Sequence, residues 1–321
     1  MGGATRLLAT MTMELPILAV PGEAETDAWP DKPRRRLPPW LKKRWPVNGS
    51  LPDTTRIVGT SRVATVCQEA HCPNRMECWS RRTATFMILG DRCTRRCHYC
   101  AVETGRPEAP ERDEPMRLAI AAAELGLRHV VITSVARDDL PDEGAGHFAA
   151  CVRAVRAKLP GSTLEVLPAD FHARRELVAL LCDSRPDVYN HNIETVERLT
   201  PVIRPQGRYR RSLEVLRIVK ELHPEMPTKS GLMVGLGETR DEIRQTLADL
   251  RGVGCDILTV GQYLQPSSEH ACVDRFVPPE EFDEFADWAR DLGFRAVYSG
   301  PFVRSSYNAA ELFEQSTAVP A

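Results

Sequence analysis

The chain has 321 residues, enough for one large barrel or two ordinary domains. Its 42 basic and 44 acidic side chains nearly balance, which gives no case for nucleic acid, and no apolar run nears the ~20 residues that span a bilayer. Ten cysteines without a secretory signal argue against a disulfide scaffold and fit a reducing cytoplasm.

Residues 1–30 lack strong periodicity and read as an untidy terminus, with Met11 and Met13 as alternative starts. Arg6 is the one basic residue of the first twenty, so an Arg-rich transit peptide is poorly supported. Residues 31–45 then carry seven basic side chains and two tryptophans, broken by prolines. The plainer reading is a solvated, extended arm that wraps the body. A sharper one is a docking strip at 32–44 for an acidic partner protein. RNA binding is a third reading, with no other support in the chain.

Cys67, Cys72 and Cys78 follow at C-x4-C-x5-C spacing. A zinc site completed by His71 is conceivable, but His71 adjoins Cys72, and neighbouring side chains rarely reach one metal. An iron–sulfur cluster lacking one local ligand is the better reading. Residues 84–89 then read as a short buried strand ended by Gly90-Asp91. The loop leaving it carries Cys93, Cys97 and Cys100 at C-x3-C-x2-C spacing. A [4Fe–4S] cluster normally takes four thiolates, so three leave one iron open to bind something else. Structural zinc prefers four ligands in paired Cys/His spacing, which this loop does not supply. Cys151, Cys182, Cys255 and Cys272 are scattered and read as ordinary thiols.

From residue 84 the chain alternates. β-rich runs at 84–89, 128–133, 163–167, 187–190, 228–234 and 256–261 are separated by helical patterns, and 294–299 could be a last short strand. Helices are expected at 116–125, 145–159, 171–182, 210–222, 240–250 and 279–292, the fifth opened by a Thr239/Glu242 capping box. Six strand–helix alternations mean parallel strands with helical crossovers, in an open doubly wound sheet or a barrel. No G-x-G-x-x-G follows the first strand, and the cysteine loop sits at a strand's C-terminal end, which favours the barrel. The fold expected is α/β, a partial (βα)6 TIM-type barrel. Its divisions are an arm (1–50), a cysteine extension (51–82), the barrel (83–300) and a tail (301–321). Asp138, Asp139, Asp170, Asn190, His191, Asn192, Glu194, Lys229, Ser230, Gln262 and Gln265 cluster near strand ends and are expected at one barrel mouth.

The Cys93–Cys100 loop, with Tyr99 just before its last cysteine, resembles the cluster loop of the radical S-adenosylmethionine (SAM) enzymes. The resemblance implies Cys93, Cys97 and Cys100 as cluster ligands, with SAM chelating the open iron and yielding a 5′-deoxyadenosyl radical. It implies that Tyr99 contacts the adenine; on its own, Tyr99 reads as a packed loop aromatic. With the second triplet and the tail Arg304-Ser305-Ser306-Tyr307, the chain resembles the lipoyl synthase family over roughly residues 33–312. Further family-like strings are residues 132–140, 190–195, 229–238 and 261–267. The departures are Glu143, the shifted proline of Pro168-Ala169-Asp170-Phe171, and Ala271-Cys272; none touches a cluster ligand.

That resemblance implies two [4Fe–4S] clusters and SAM, with Ser306 joining Cys67, Cys72 and Cys78 on the auxiliary cluster, and Tyr99, Asn192 and Glu194 as SAM-binding residues. Ser306 is then also the catalytic candidate, because a harder oxygen ligand suits a cluster meant to come apart. The implied reaction inserts two sulfurs into unactivated C–H bonds at C6 and C8 of a protein-bound octanoyl-lysine. SAM-derived radicals take the hydrogens, and the auxiliary cluster gives the sulfur. A saturated carbon offers no acidic proton and no electrophile, so cofactors carry the chemistry and the protein positions. The implied partners are an octanoylated lipoyl carrier domain (a 2-oxoacid dehydrogenase E2 subunit or the glycine cleavage H protein), an electron donor such as ferredoxin or flavodoxin, and an Fe–S cluster carrier. No nucleic acid or membrane partner is expected, and the chain is expected to be a cytoplasmic monomer. The alternatives are another sulfur-inserting radical SAM enzyme, such as a biotin synthase or methylthiotransferase, and a non-catalytic zinc-stabilised interaction protein.

Overall fold

The computed structural model describes residues 36–43 and 49–318. The first thirty residues, and Lys32, Arg34, Arg35, Arg44 and Trp45 of the basic strip, lie outside the described residues.

Eight strands make one sheet, ordered as they occur in the chain. They are β1 (Ala64–Thr65), β2 (Thr85–Ile88), β3 (His129–Ser134), β4 (Thr163–Leu167), β5 (Val188–Asn190), β6 (Thr228–Val234), β7 (Ile257–Gln262) and β8 (Ala296–Gly300). β2 to β8 are parallel, and β1 pairs antiparallel with β2. The sheet does not close, and β1 and β8 are its edges. The stretch at 294–299 is thus a seventh parallel strand. β2 and β7 are buried along their whole length, as strands covered on both faces must be.

The crossover helices follow local signals. Glu114–Leu125 has proline in its first turn and stops at Gly126, which adopts the left-handed φ of 67° that ends such helices. Tyr209–Leu222 buries Leu213, Leu216 and Val219 at three-to-four spacing. Arg240–Gly252 opens with both hydrogen bonds of the Thr239/Glu242 capping box. The apolar core falls into two main halves, one around β2–β4 and one around β6–β7.

Both chain ends pack on this frame. The final helix, Ala309–Thr317, sets Leu312 and Phe313 against Val188, Ile257 and Ala296, the first residues of β5, β7 and β8, and so covers the N-terminal end of the barrel. At the described end of the basic strip Leu41 is buried. Lys43 pairs with Glu77, donates to Asn74 Oδ1 at 2.7 Å, and lies over the rings of Phe302 and Tyr307 at 4.7 and 5.2 Å.

Candidate active site

The loop after β2 turns out of the sheet through Leu89 (φ 69°) and Gly90 (φ 91°). A two-residue parallel bridge, Arg92–Cys93 with Glu103–Thr104, gathers its ends. Arg95 pins it to the next two strands: its buried guanidinium meets Asp138 at 2.6 Å and Asp170 at 2.8 Å. Burial opposes this charge, but the hydrogen bonds to Asp138 and Asp170 raise the Arg95 pKa far above its ordinary value. Cys93 Sγ accepts backbone N–H groups of Arg95 and Ala136, each at 3.4 Å. His270 bonds the Cys100 carbonyl at 2.9 Å from the far side.

The other triplet comes from two short helices, Val66–Glu69 with Cys67 and Arg75–Ser80 with Cys78, with Cys72 on the turn between. That turn needs His71 at φ 47°. The tail then closes over it. Asn74 donates to the Phe302 carbonyl and Tyr307 donates to Glu77, both at 2.7 Å, and Tyr307 stacks on Tyr298 with 5.9 Å between ring centres. Ser306 Oγ accepts from Thr85 Oγ1 at 2.8 Å. Ser305 is already engaged: Asn190 donates to its hydroxyl at 2.7 Å, and it donates to Asn192 Oδ1 at 2.8 Å.

Both triplets, Ser306, Tyr99, Asn192 and Glu194 line one cavity of about 500 Å³. Asn192 donates to Glu194 at 3.1 Å. Burial raises the Glu194 pKa, partly offset by Arg204, Asn192 and Tyr99. The cavity lining includes the apolar side chains of Val135, Leu167, Leu232, Met233 and Pro266.

The donor set suits iron–sulfur clusters. Burial pushes Cys97 up to about 11, against the pull of Arg204, and Cys78 and Cys100 up to about 12. Such thiols keep their protons until a metal displaces them. Among the described residues, the groups whose ligand atoms all fall within 4.8 Å are Glu114, His147, Cys151 and Asp138, Glu143, His172; neither cysteine triplet is one of them. A single tetrahedral zinc draws its thiolates closer, with Zn–S about 2.3 Å, whereas a cube spreads them over separate irons. The buried Trp79 indole N–H points to the Cys67 thiol and favours its thiolate, a donor that fits a cluster ligand there.

Several expected mouth residues do other work. Asp138 and Asp170 are spent on Arg95, and Asp139 pairs with Arg137. Lys229 and Ser230 do not line the cavity, because they begin β6 rather than end it. Lys229 is fully buried in the barrel and holds both Glu165 oxygens at 2.9 Å. Gln262 closes a loop, accepting from Val277 N–H. His191 does line the cavity, its ring between the Pro168 carbonyl and Ser212. Thr85 and Glu165 carry no motif, and Arg95 and Trp79 sit within the cysteine motifs with no role that spacing assigns.

Residues 87–250 match the Radical SAM superfamily profile. The fold is like that of the [FeFe]-hydrogenase maturase HydG: over 84% of this chain and 67% of that one the TM-score is 0.52, at 15% identity. The sequence comparisons are narrower. The chain is 50% identical over 304 residues to the lipoyl synthase of Rubrobacter xylanophilus, covering 94% of this chain and 95% of that one. It is 54% identical over 275 residues to the lipoyl synthase of Methylococcus capsulatus, covering 85% of each. The chain belongs to the lipoyl synthase family of radical SAM enzymes, whose cofactors are [4Fe–4S] clusters and SAM. Among the described residues no helix is long and apolar enough to cross a membrane.

Proposed function

We propose that this lipoyl synthase acts on an octanoyl-lysine of a lipoyl carrier domain, within the one cavity that both cysteine triplets line. That shared cavity carries the reading, because a saturated carbon must reach two cofactors in turn. Cys93, Cys97 and Cys100 hold the SAM-binding cluster. Cys67, Cys72, Cys78 and Ser306 hold the auxiliary one. When bound, these groups supply a 5′-deoxyadenosyl radical and the sulfur for C6 and C8.

The chain's own residues bind, orient and exclude water. Tyr99, Asn192 and Glu194 offer SAM an aromatic face and polar groups beside Cys97 and Cys100. Val135, Leu167 and Met233 give the octanoyl chain an apolar path that water does not compete for. The arm, the cysteine extension and the tail meet at Lys43, Glu77 and Tyr307, which come one from each and touch. An electron donor such as ferredoxin or flavodoxin supplies the electrons, an Fe–S carrier rebuilds the auxiliary cluster, and the setting is the cytoplasm. The test is anaerobic: about eight irons per chain are expected, with lipoyl product on an octanoyl-lysine peptide. Zinc in place of iron, or iron for one cube only, overturns the reading.

A further inference from the structure

We propose that Thr85 is a positioning residue for the auxiliary site, holding Ser306 in the orientation that lets its oxygen close the fourth corner of a cluster. The proposal rests on the assignment of Ser306 as that ligand.

Thr85 begins β2 and is 4% exposed. Its hydroxyl donates to Ser306 Oγ at 2.8 Å, from a position 221 residues away in the chain. Among the described residues it makes no other side-chain hydrogen bond. Its backbone also bonds the Cys67 thiol. One residue therefore touches two of the four proposed ligands, and these come from opposite ends of the chain.

The chemistry fixes the direction of the bond. A serine oxygen bound to iron has no proton to give and can only accept. Thr85 has a proton to give and this one acceptor. A hydrogen bond to a charged oxygen is among the stronger kinds. A free serine in a loop samples three staggered rotamers, and the bond selects one. The donor itself cannot wander, because β2 is buried throughout and paired on both sides. Ser305, the neighbouring hydroxyl, has no such freedom to substitute, being fixed between Asn190 and Asn192.

The test uses the full chain with Cys93, Cys97 and Cys100 changed to alanine, so that all bound iron reports on the auxiliary site. After anaerobic reconstitution, mild oxidation is followed by the electron paramagnetic resonance signal of the three-iron form. Thr85→Val keeps the backbone and the side-chain shape but removes the hydroxyl; Thr85→Ser keeps the hydroxyl. Thr85→Val is expected to lose its fourth iron on the order of tenfold faster, the change that loss of a hydrogen bond to a charged group produces. Thr85→Ser is expected to behave as the parent and Ser306→Ala to be at least as fast as Thr85→Val. Far-ultraviolet circular dichroism and three-iron content verify that each variant is folded and loaded. Loss at the parent rate in Thr85→Val, with Ser306→Ala fast, overturns the role of Thr85 alone. Loss at the parent rate in Ser306→Ala overturns the ligand assignment and the inference with it. A Thr85→Ser variant as fast as Thr85→Val also overturns the role of the hydroxyl.

Discussion

A methyl group added at Gly261 would stand 2.1 Å from the carbonyl oxygen of Val303. The tail backbone lies directly on the end of β7, and only a residue without a side chain allows it. Gly261→Ala is expected to push the tail off, at a cost of about 1–3 kcal/mol typical of overpacking. Limited trypsin digestion followed by mass spectrometry reads this as faster cleavage after Arg304. Unchanged cleavage, with an unchanged melting temperature, would mean the tail yields without penalty.

The two tail serines are predicted to differ. Ser306→Ala removes the hydroxyl proposed as the fourth auxiliary ligand and is expected to abolish lipoyl formation. Ser305→Ala leaves Asn190 and Asn192 to bond each other or water, and is expected to be milder. Product yield per chain, by mass spectrometry of an octanoyl-lysine peptide, ranks them. The reverse ranking would move the ligand to Ser305.

The triplets are predicted to be separable. Alanine at Cys93, Cys97 and Cys100 is expected to stop SAM cleavage altogether. Alanine at Cys67, Cys72 and Cys78 is expected to leave reductive SAM cleavage in place, giving 5′-deoxyadenosine without thiolated product. Normal lipoyl yield from the second variant would refute the auxiliary site as the sulfur source.

Acid is predicted to weaken the fold through His191. Burial, then the nearby Arg204 charge, lowers its pKa from 6.5 to about 4, with Asp170 opposing. The unfolded chain therefore binds a proton between those values that the folded chain refuses. Stability is highest above pH 6.5 and falls as pH drops towards 4, by at most about 3 kcal/mol. His191→Gln is expected to flatten this slope. Urea midpoints between pH 8 and 5, in parent and variant, measure it; parallel curves would dismiss His191 as the cause.

How much of this could be read from sequence depends on whether the signal is local. The radical loop spans eight residues, so the spacing of Cys93, Cys97 and Cys100 and the apolar run before it were legible together. The parallel strands were legible for the same reason, several boundaries falling within a residue or two of a Gly or Pro. The helices at Leu51–Ser61 and Ala309–Thr317 were not foreseen. Each is short, and each is held by what it packs against. Polar residues near strand ends were over-read. Sequence places Asp138, Asp170 and Lys229 near the barrel but cannot show that Arg95 and Glu165 have already claimed them. Thr85 and Trp79 were invisible for a related reason: a buried threonine and tryptophan look like packing until their hydrogen-bond partners are seen.

The bond between Thr85 and Ser306 also bears on how the protein is made. On the ligand assignment proposed above, the three ligands of the radical loop are synthesised together within eight residues, whereas the auxiliary site stays one ligand short until Ser306 has been added. A chain truncated before Ser306 keeps every cysteine of both triplets and still cannot finish its second site. Complete loading with iron would then be a property of finished molecules only, and a cell that recycles half-loaded chains would be discarding the unfinished ones.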